Sequence, residues 1–224
     1  MSRFKSVILL AILFCSVGCV SVPFKSINYV SLDNVDPLAL RREFGDILAQ
    51  RMQVVNSIVF QYKWQRFSAL GYTELNLPAN TFAVSCMNPV GIKLFELSGN
   101  QDTIKPGFVL KELLQRGDLP RVVGEDIRRI YFNMLPSPEA KIEKERYKII
   151  FSQAYGQGII KYVFAGSQHL LVEKRYYEKN HNLWSVFYYE YRLDKGKLYP
   201  AGLILKNHRF GYNLVIRLKE VREN

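Results

Sequence analysis

The chain has 224 residues, 48% of them hydrophobic, including 14 Tyr and 14 Phe. That is enough apolar content for one domain with a real core, and it excludes a chain disordered over most of its length. The formal net charge of +11 suits anionic lipid headgroups or acidic partners, and equally suits lysines and arginines spread over solvated helix and strand faces.

At the start, Arg3 and Lys5 precede the apolar run Val7–Phe14, which breaks into Ser16-Val17-Gly18-Cys19. A basic segment, a short apolar segment and small residues before a cleavage point make an export signal, too short to span a bilayer unaided. Small residues directly before a cysteine are the pattern of a bacterial lipoprotein signal. On this reading residues 1–18 are the signal peptide, Cys15 is discarded, and Cys19 becomes the acylated first residue of the mature chain. An ordinary cleaved signal, or an uncleaved anchor with Cys19 incidental, is the alternative. In each case the chain leaves the cytoplasm, which makes nucleic acid a poor partner. Without Arg3 and Lys5 the net charge is still about +9. Cys86 then has no partner once Cys19 is acylated, and in its apolar run it reads as a small buried hydrophobe.

Residues 19–35 read as a lipidated tether, interrupted by Ser21, Pro23, Ser26 and Asn28. A single domain is expected over 36–224. Asp36-Pro37 starts a helix, with Asp36 at the N-cap and Pro37 in the first turn. Leu40, Phe44, Ile47, Leu48 and Met52 form one apolar stripe along it. From Val54 the period becomes two. Ile58, Phe60, Tyr62 and Trp64 share one face of a long strand that Gly71 ends. Strand-like runs follow at Thr73–Leu77, Thr81–Met87 and Ile92–Leu97, joined by Pro78-Ala79-Asn80 and Asn88-Pro89-Val90-Gly91. Four strands with tight connections predict an antiparallel meander.

Val109–Gln115 and Glu125–Leu135 are expected to be helical, separated by Gly117 and Pro120, with Ile127, Ile130, Tyr131 and Met134 on one side of the second. The charged stretch Glu139–Arg146 leads into about six more strands. These are Tyr147–Gln153, Ile159–Ala165, Leu170–Tyr176, a strand with Leu183, Phe187, Tyr189, Tyr191 and Leu193 on one face, Leu198–Lys206, and Tyr212–Val221. A large antiparallel sheet of this kind twists and curls, and the mid-chain helices are the available cover for its concave face. The fold class is therefore α+β, mainly β.

The order of elements and three local matches resemble the LolA/LolB group of lipoprotein carriers, and LolB in particular. Asn88-Pro89-Val90-Gly91 leading into Lys93-Leu94-Phe95-Glu96-Leu97 is similar to an Asn-Pro-Leu-Gly loop and its following strand. Leu110-Lys111-Glu112-Leu113-Leu114, then Asp118-Leu119-Pro120 and Asp126–Pro136, look like the family's helix, linker and helix ending in Leu-Pro. Tyr199–Leu205 and Leu214–Leu218 are similar to its closing hairpin. The resemblance covers roughly residues 37–221. It implies an open antiparallel β half-barrel of about eleven strands with a short helical lid on the concave face. It also implies an outer-membrane lipoprotein, anchored by its own lipid and facing the periplasm. Such a protein accepts acylated lipoproteins or lipids from a periplasmic LolA-like carrier and inserts them into the membrane. Val20, unlike an aspartate after the lipidated cysteine, agrees with outer-membrane sorting. The position matching the delivery leucine is Val90, which buries less apolar area, at about 0.8 kcal/mol per lost methylene.

On that resemblance Asn88, Pro89, Val90 and Gly91 form a membrane-insertion loop, with an ordinary turn as the alternative. Phe60, Tyr62, Trp64, Ile127, Ile130, Tyr131, Phe187, Tyr189 and Tyr191 are candidate linings of an acyl-chain cavity, or else simply core, since both uses need the same residue types. His169, His181 and His208 have no metal-ligand spacing. No nucleophile elbow, phosphate loop or dinucleotide fingerprint occurs. The expectation is a tethered monomer that is not an enzyme and needs no cofactor or metal. The alternative function is a docking lipoprotein of an envelope complex, with a filled core and no cargo.

Overall fold

A computed structural model describes residues 22–115 and 117–223. The expected signal peptide and Cys19 lie outside the described residues. Among the described residues three helices, α1 (Pro37–Ile47), α2 (Lys111–Leu114) and α3 (Leu119–Tyr131), accompany twelve strands. Five strands precede α2: β1 (Arg51–Tyr62), β2 (Gln65–Asn76), β3 (Thr81–Met87), β4 (Lys93–Gly99) and β5 (Ile104–Val109). Seven follow α3: β6 (Lys141–Glu145), β7 (Lys148–Tyr155), β8 (Gly158–Ala165), β9 (Leu170–Glu178), β10 (His181–Asp194), β11 (Lys197–Asn207) and β12 (Tyr212–Glu223). All belong to one antiparallel sheet of order β5-β4-β3-β2-β1-β12-β11-β10-β9-β8-β7-β6.

The sheet is open. β5, interrupted by Pro106 and Gly107, is one edge, and the wholly exposed, charge-alternating β6 (Lys-Ile-Glu-Lys-Glu) is the other. The sheet has twelve strands where about eleven are expected; beyond the runs read as strands, Ile104–Val109 pairs with β4 and Lys141–Glu145 pairs with β7. The first break also moves. β1 ends in a hairpin at Lys63-Trp64, where Lys63 takes φ 53°, and Gly71 lies inside β2. Gly71 is required there by packing: a Cβ would come within 2.3 Å of Asn56 Oδ1 on the paired strand.

The helices start as their caps dictate. Asp36 accepts from the amides of Leu38 and Ala39, and Asp118 from that of Arg121, with a proline in the first turn of each helix. Pro120 therefore opens α3 instead of separating two helices. Helix α1 stops at Ile47, and Met52 of the predicted stripe belongs to β1.

Both longer helices lie against the concave face. Leu40 and Phe44 of α1 and Ile127, Ile130 and Tyr131 of α3 join one continuous core with Phe151, Phe164, Val186, Tyr188, Leu203 and Ile216 of the sheet. Helix α3 spans the trough. At one side Arg128 donates to the carbonyls of Asn100 and Thr103 in the β4–β5 turn. At the other, Tyr188 Oη donates to the carbonyl of Ile130 at 2.8 Å.

The segment before α1 crosses to the convex face. The amide of Leu32 donates to the carbonyl of Arg146 in the β6–β7 turn, and Ile27 and Asn28 lie near Gly166 in the β8–β9 turn. Phe24 then fills a slot over Gly202, mid-strand in β11, where a Cβ would stand 2.5 Å from its ring. The ring stacks on Tyr189 at 5.2 Å, and the Arg217 guanidinium covers it at 4.7 Å. Arg217 also donates to the carbonyl of Pro23 and pairs with Glu190, which accepts from the amide of Lys25.

Candidate functional site

In the β3–β4 loop the Asn88 side chain builds the turn. Its Oδ1 accepts from the amides of Val90 (3.1 Å) and Ile92 (2.9 Å), the Asn88 amide donates to the carbonyl of Ile92, and Gly91 takes φ 90°. An Asx-type turn closed in this way needs little ordering when it meets a partner. It holds Val90 outward, 80% exposed, with Pro89 and Ile92 exposed on either side.

The residues predicted to line a cavity fall into three groups. Ile127, Ile130 and Tyr131 of α3 are buried in the core, with Phe60 and Tyr191 packed against it. Phe60 lies 5.3 Å from the Tyr212 ring, and Tyr191 Oη donates to the carbonyl of Leu171. Tyr62 and Trp64 belong to the exposed β1–β2 hairpin. Phe187 and Tyr189 sit on the convex face, Phe187 beneath Lys206 and Tyr189 beneath Phe24. The expectation that Phe187, Tyr189 and Tyr191 share a face is thus corrected. Glu190 takes φ 52°, which breaks the alternation so that Trp184, Val186, Tyr188 and then Tyr191 face the helices.

The trough beneath α3 is mainly apolar but carries a few polar groups. Lys174 of β9 is 1% exposed, and its Nζ donates to the carbonyl of Phe132 and stands 6.0 Å from the Trp184 ring. Burial lowers the Lys174 pKa to about 7. Asp126 of α3 accepts from Tyr212 Oη at 2.6 Å and from Arg129 at 2.6 Å, and Tyr212 in turn accepts from Asn207. Burial raises the Asp126 pKa to about 6 despite the Arg129 charge. The hydroxyls of Tyr131 and Tyr162 are buried without a hydrogen-bond partner among the described residues. Both lie within electrostatic reach of the Tyr188 hydroxyl, whose pKa burial raises well above its ordinary value.

No protein-family model matches this sequence, and no curated protein matches it either. Solved structures do match its shape. A LolA superfamily protein from Nitrosomonas europaea superposes with a TM-score of 0.56 at 10% identity, over 85% of this chain and 94% of that one. A DUF1329 family protein from Desulfovibrio piger gives a TM-score of 0.51 at 11% identity, over 84% and 91%. The chain has the LolA-like fold.

Within this LolA-like fold, the open sheet, the lid helix and the solvent-facing β3–β4 loop are all present. Among the described residues no three His, Cys, Asp or Glu side chains converge as metal ligands. Cys86 is buried beside Ala69 and Leu94, and burial pushes its thiol up to about 12. No helix of the described chain is long and apolar enough to cross a membrane. Sequence reasoning missed Lys174 and the Phe24–Gly202 contact. Lys174 follows Leu171-Val172-Glu173 in a run that reads as an ordinary surface alternation. The glycine at the centre of the apolar strand Tyr199–Leu205 was the available signal for a close approach.

Proposed function

We propose that the protein is a lipid-anchored envelope protein that binds acyl chains under α3 and passes them to a membrane through the Val90 loop. The observation that supports this best is the pairing of an apolar trough, covered by α3 beside α1, with an apolar side chain held 80% exposed on a pre-ordered turn. A carrier of variable acyl chains needs apolar contact without directional bonds, and the trough offers that. The trough is filled by side chains of the sheet and α3, so cargo enters by displacing α3. The bonds to release are few: Tyr188 to Ile130, Lys174 to Phe132, Tyr212 to Asp126, and Arg128 to the β4–β5 turn. Displacement would leave the Tyr162 hydroxyl on β8 as a donor for an ester carbonyl of the cargo.

The further parts of the reading are a lipid on Cys19 after removal of residues 1–18, a place in the outer membrane, receipt of lipoproteins from a LolA-like carrier, and a non-catalytic transfer. Transfer is then driven by the differing affinities of carrier, acceptor and bilayer for the chains. The test is mass spectrometry of lipids and lipoproteins co-purifying with the protein, followed by transfer from a loaded carrier. Bound acylated species and transfer support the reading. An empty protein that accepts nothing from the carrier removes it.

The filled trough gives independent weight to a second reading, a docking lipoprotein of an envelope complex that keeps its core closed. Uptake of a fluorescent fatty acid separates the two, since a permanently closed core takes up none.

A further inference from the structure

The topology places five hairpin turns at one end of the sheet. The three belonging to neighbouring strands β4-β3-β2-β1-β12-β11 share a chemistry that the other two lack. Their tips carry Val90, Trp64 and Phe210, which are 80%, 99% and 52% exposed. The remaining two tips, Gly156-Gln157 and Lys179-Asn180, present no large apolar side chain.

The β1–β2 hairpin is the most prominent of the three. β2 meets β3 only from Leu70 onward, paired with Met87, so Gln65–Ser68 has no paired strand on that side. Every residue from Tyr62 to Ser68 is exposed. A protruding hairpin that gives a tryptophan wholly to water stabilises nothing within its own fold.

Its charge pattern is one-sided as well. Lys63 and Arg66 flank Trp64, and Lys63 lies 5.3 Å over the Tyr62 ring. Arg209 sits 5.5 Å over the Phe210 ring, whereas Lys93, after Ile92, is paired with Glu96 at 2.6 Å. No Asp or Glu occurs between Asn56 and Thr73 or between Lys195 and Lys219, around the Trp64 and Phe210 tips. Tryptophan and its neighbours suit the polar–apolar boundary of a bilayer, and unopposed cations suit anionic headgroups.

The convex-face strap agrees with this end. It enters by Gly166, at the opposite end of the sheet, and reaches mid-sheet at Gly202 and Arg217, heading toward the same three hairpins. This orientation rests on the proposed reading of a lipid-anchored chain: with a lipid at Cys19, that end would face the surface holding the lipid.

We propose that the three adjacent hairpins bearing Trp64, Val90 and Phe210 form a docking edge for an anionic lipid bilayer, with the β1–β2 hairpin as its deepest element. This does not depend on whether the trough takes cargo, since cargo uptake is measured in solution without vesicles.

The test uses full-length protein reconstituted into vesicles of phosphatidylcholine with or without phosphatidylglycerol. Trp184 is buried and stacks on Tyr176 at 5.6 Å, so Trp184→Phe leaves Trp64 as the sole reporter. The difference between native protein and Trp64→Phe gives the same signal if that variant folds poorly. With phosphatidylglycerol present, Trp64 emission should shift blue, lose quenching by iodide and gain quenching by brominated lipid. High salt, or Lys63→Glu with Arg66→Glu and Arg209→Glu, should abolish all three changes. Trp64 emission that stays water-like, or equal responses in both vesicle types, would overturn the proposal. So would bilayer quenching of a reporter placed at the other end by Tyr147→Trp in the Trp64→Phe protein.

Discussion

The Nζ of Lys174 on β9 donates to the main-chain carbonyl of Phe132, the residue that ends α3, across 2.8 Å. It is one of the bonds that join the lid to the floor of the trough, and it is made by an amine that burial makes reluctant to ionise. The Lys174 pKa of about 7 lies below its ordinary 10.5. Between those values the unfolded chain holds a proton that the folded chain does not, so stability rises with pH across this window. Below about 7 both states are protonated, and the cost of the buried cation is fully present.

The expected outcome is a denaturation free energy that climbs from pH 7 to pH 9.5, at a slope approaching about 1.4 kcal/mol per pH unit. Lys174→Met should flatten the climb and stabilise the protein at pH 6. Urea titrations of both proteins over that range check it.

Asp126 has the opposite sign. Its folded pKa of about 6 is above the ordinary 3.8, so the folded state keeps a proton that the unfolded state has lost. The Asp126 contribution to stability therefore falls as pH rises from about 4 to 6 and is level above that. Asp126→Asn should remove this fall. Tyr212→Phe takes away a hydrogen bond to the same carboxyl and should destabilise by about 1–3 kcal/mol. It should also shift the fall to higher pH, measured by thermal unfolding at stepped pH.

At the convex face, Gly202→Ala puts a methyl where the Phe24 ring lies. The strap should detach while the sheet stays folded. Limited trypsin digestion at Lys25 should speed up with little change in the main unfolding transition, and Phe24→Ala should give the same pattern.

Val90 is solvated, so Val90→Glu should leave stability within about 0.5 kcal/mol of the parent. Delivery of cargo to vesicles should fall. Val90→Leu, which adds a methylene worth about 0.8 kcal/mol on burial, should raise it. A transfer assay from a loaded carrier, run beside a melting curve, separates the two effects.

Much of the sheet was legible because half-buried strands alternate. β7 to β12 fall close to where the period-two runs put them, and Asp36-Pro37 marks the start of α1. The misplacements have local causes. The β1–β2 turn uses Lys63 in a left-handed conformation with no Gly or Asn to announce it. β5 contains Pro106-Gly107, and β6 is wholly exposed, so neither shows an apolar face. Glu190 shifts the face of β10 by a backbone torsion that its residue type does not advertise. The Val90 loop was readable because its asparagine, proline and glycine are the residues such a turn needs. Trp64 read as lining because its strand continued on paper through the hairpin.

The two unpaired edges also bear on how neighbouring copies behave when they crowd together. A free strand invites another to add to it. The proline in β5 lacks an amide to offer, and β6 sets Lys141, Glu143, Lys144 and Glu145 along its length. Both borders thus discourage strand addition, and the gap between them stays clear at high protein concentration.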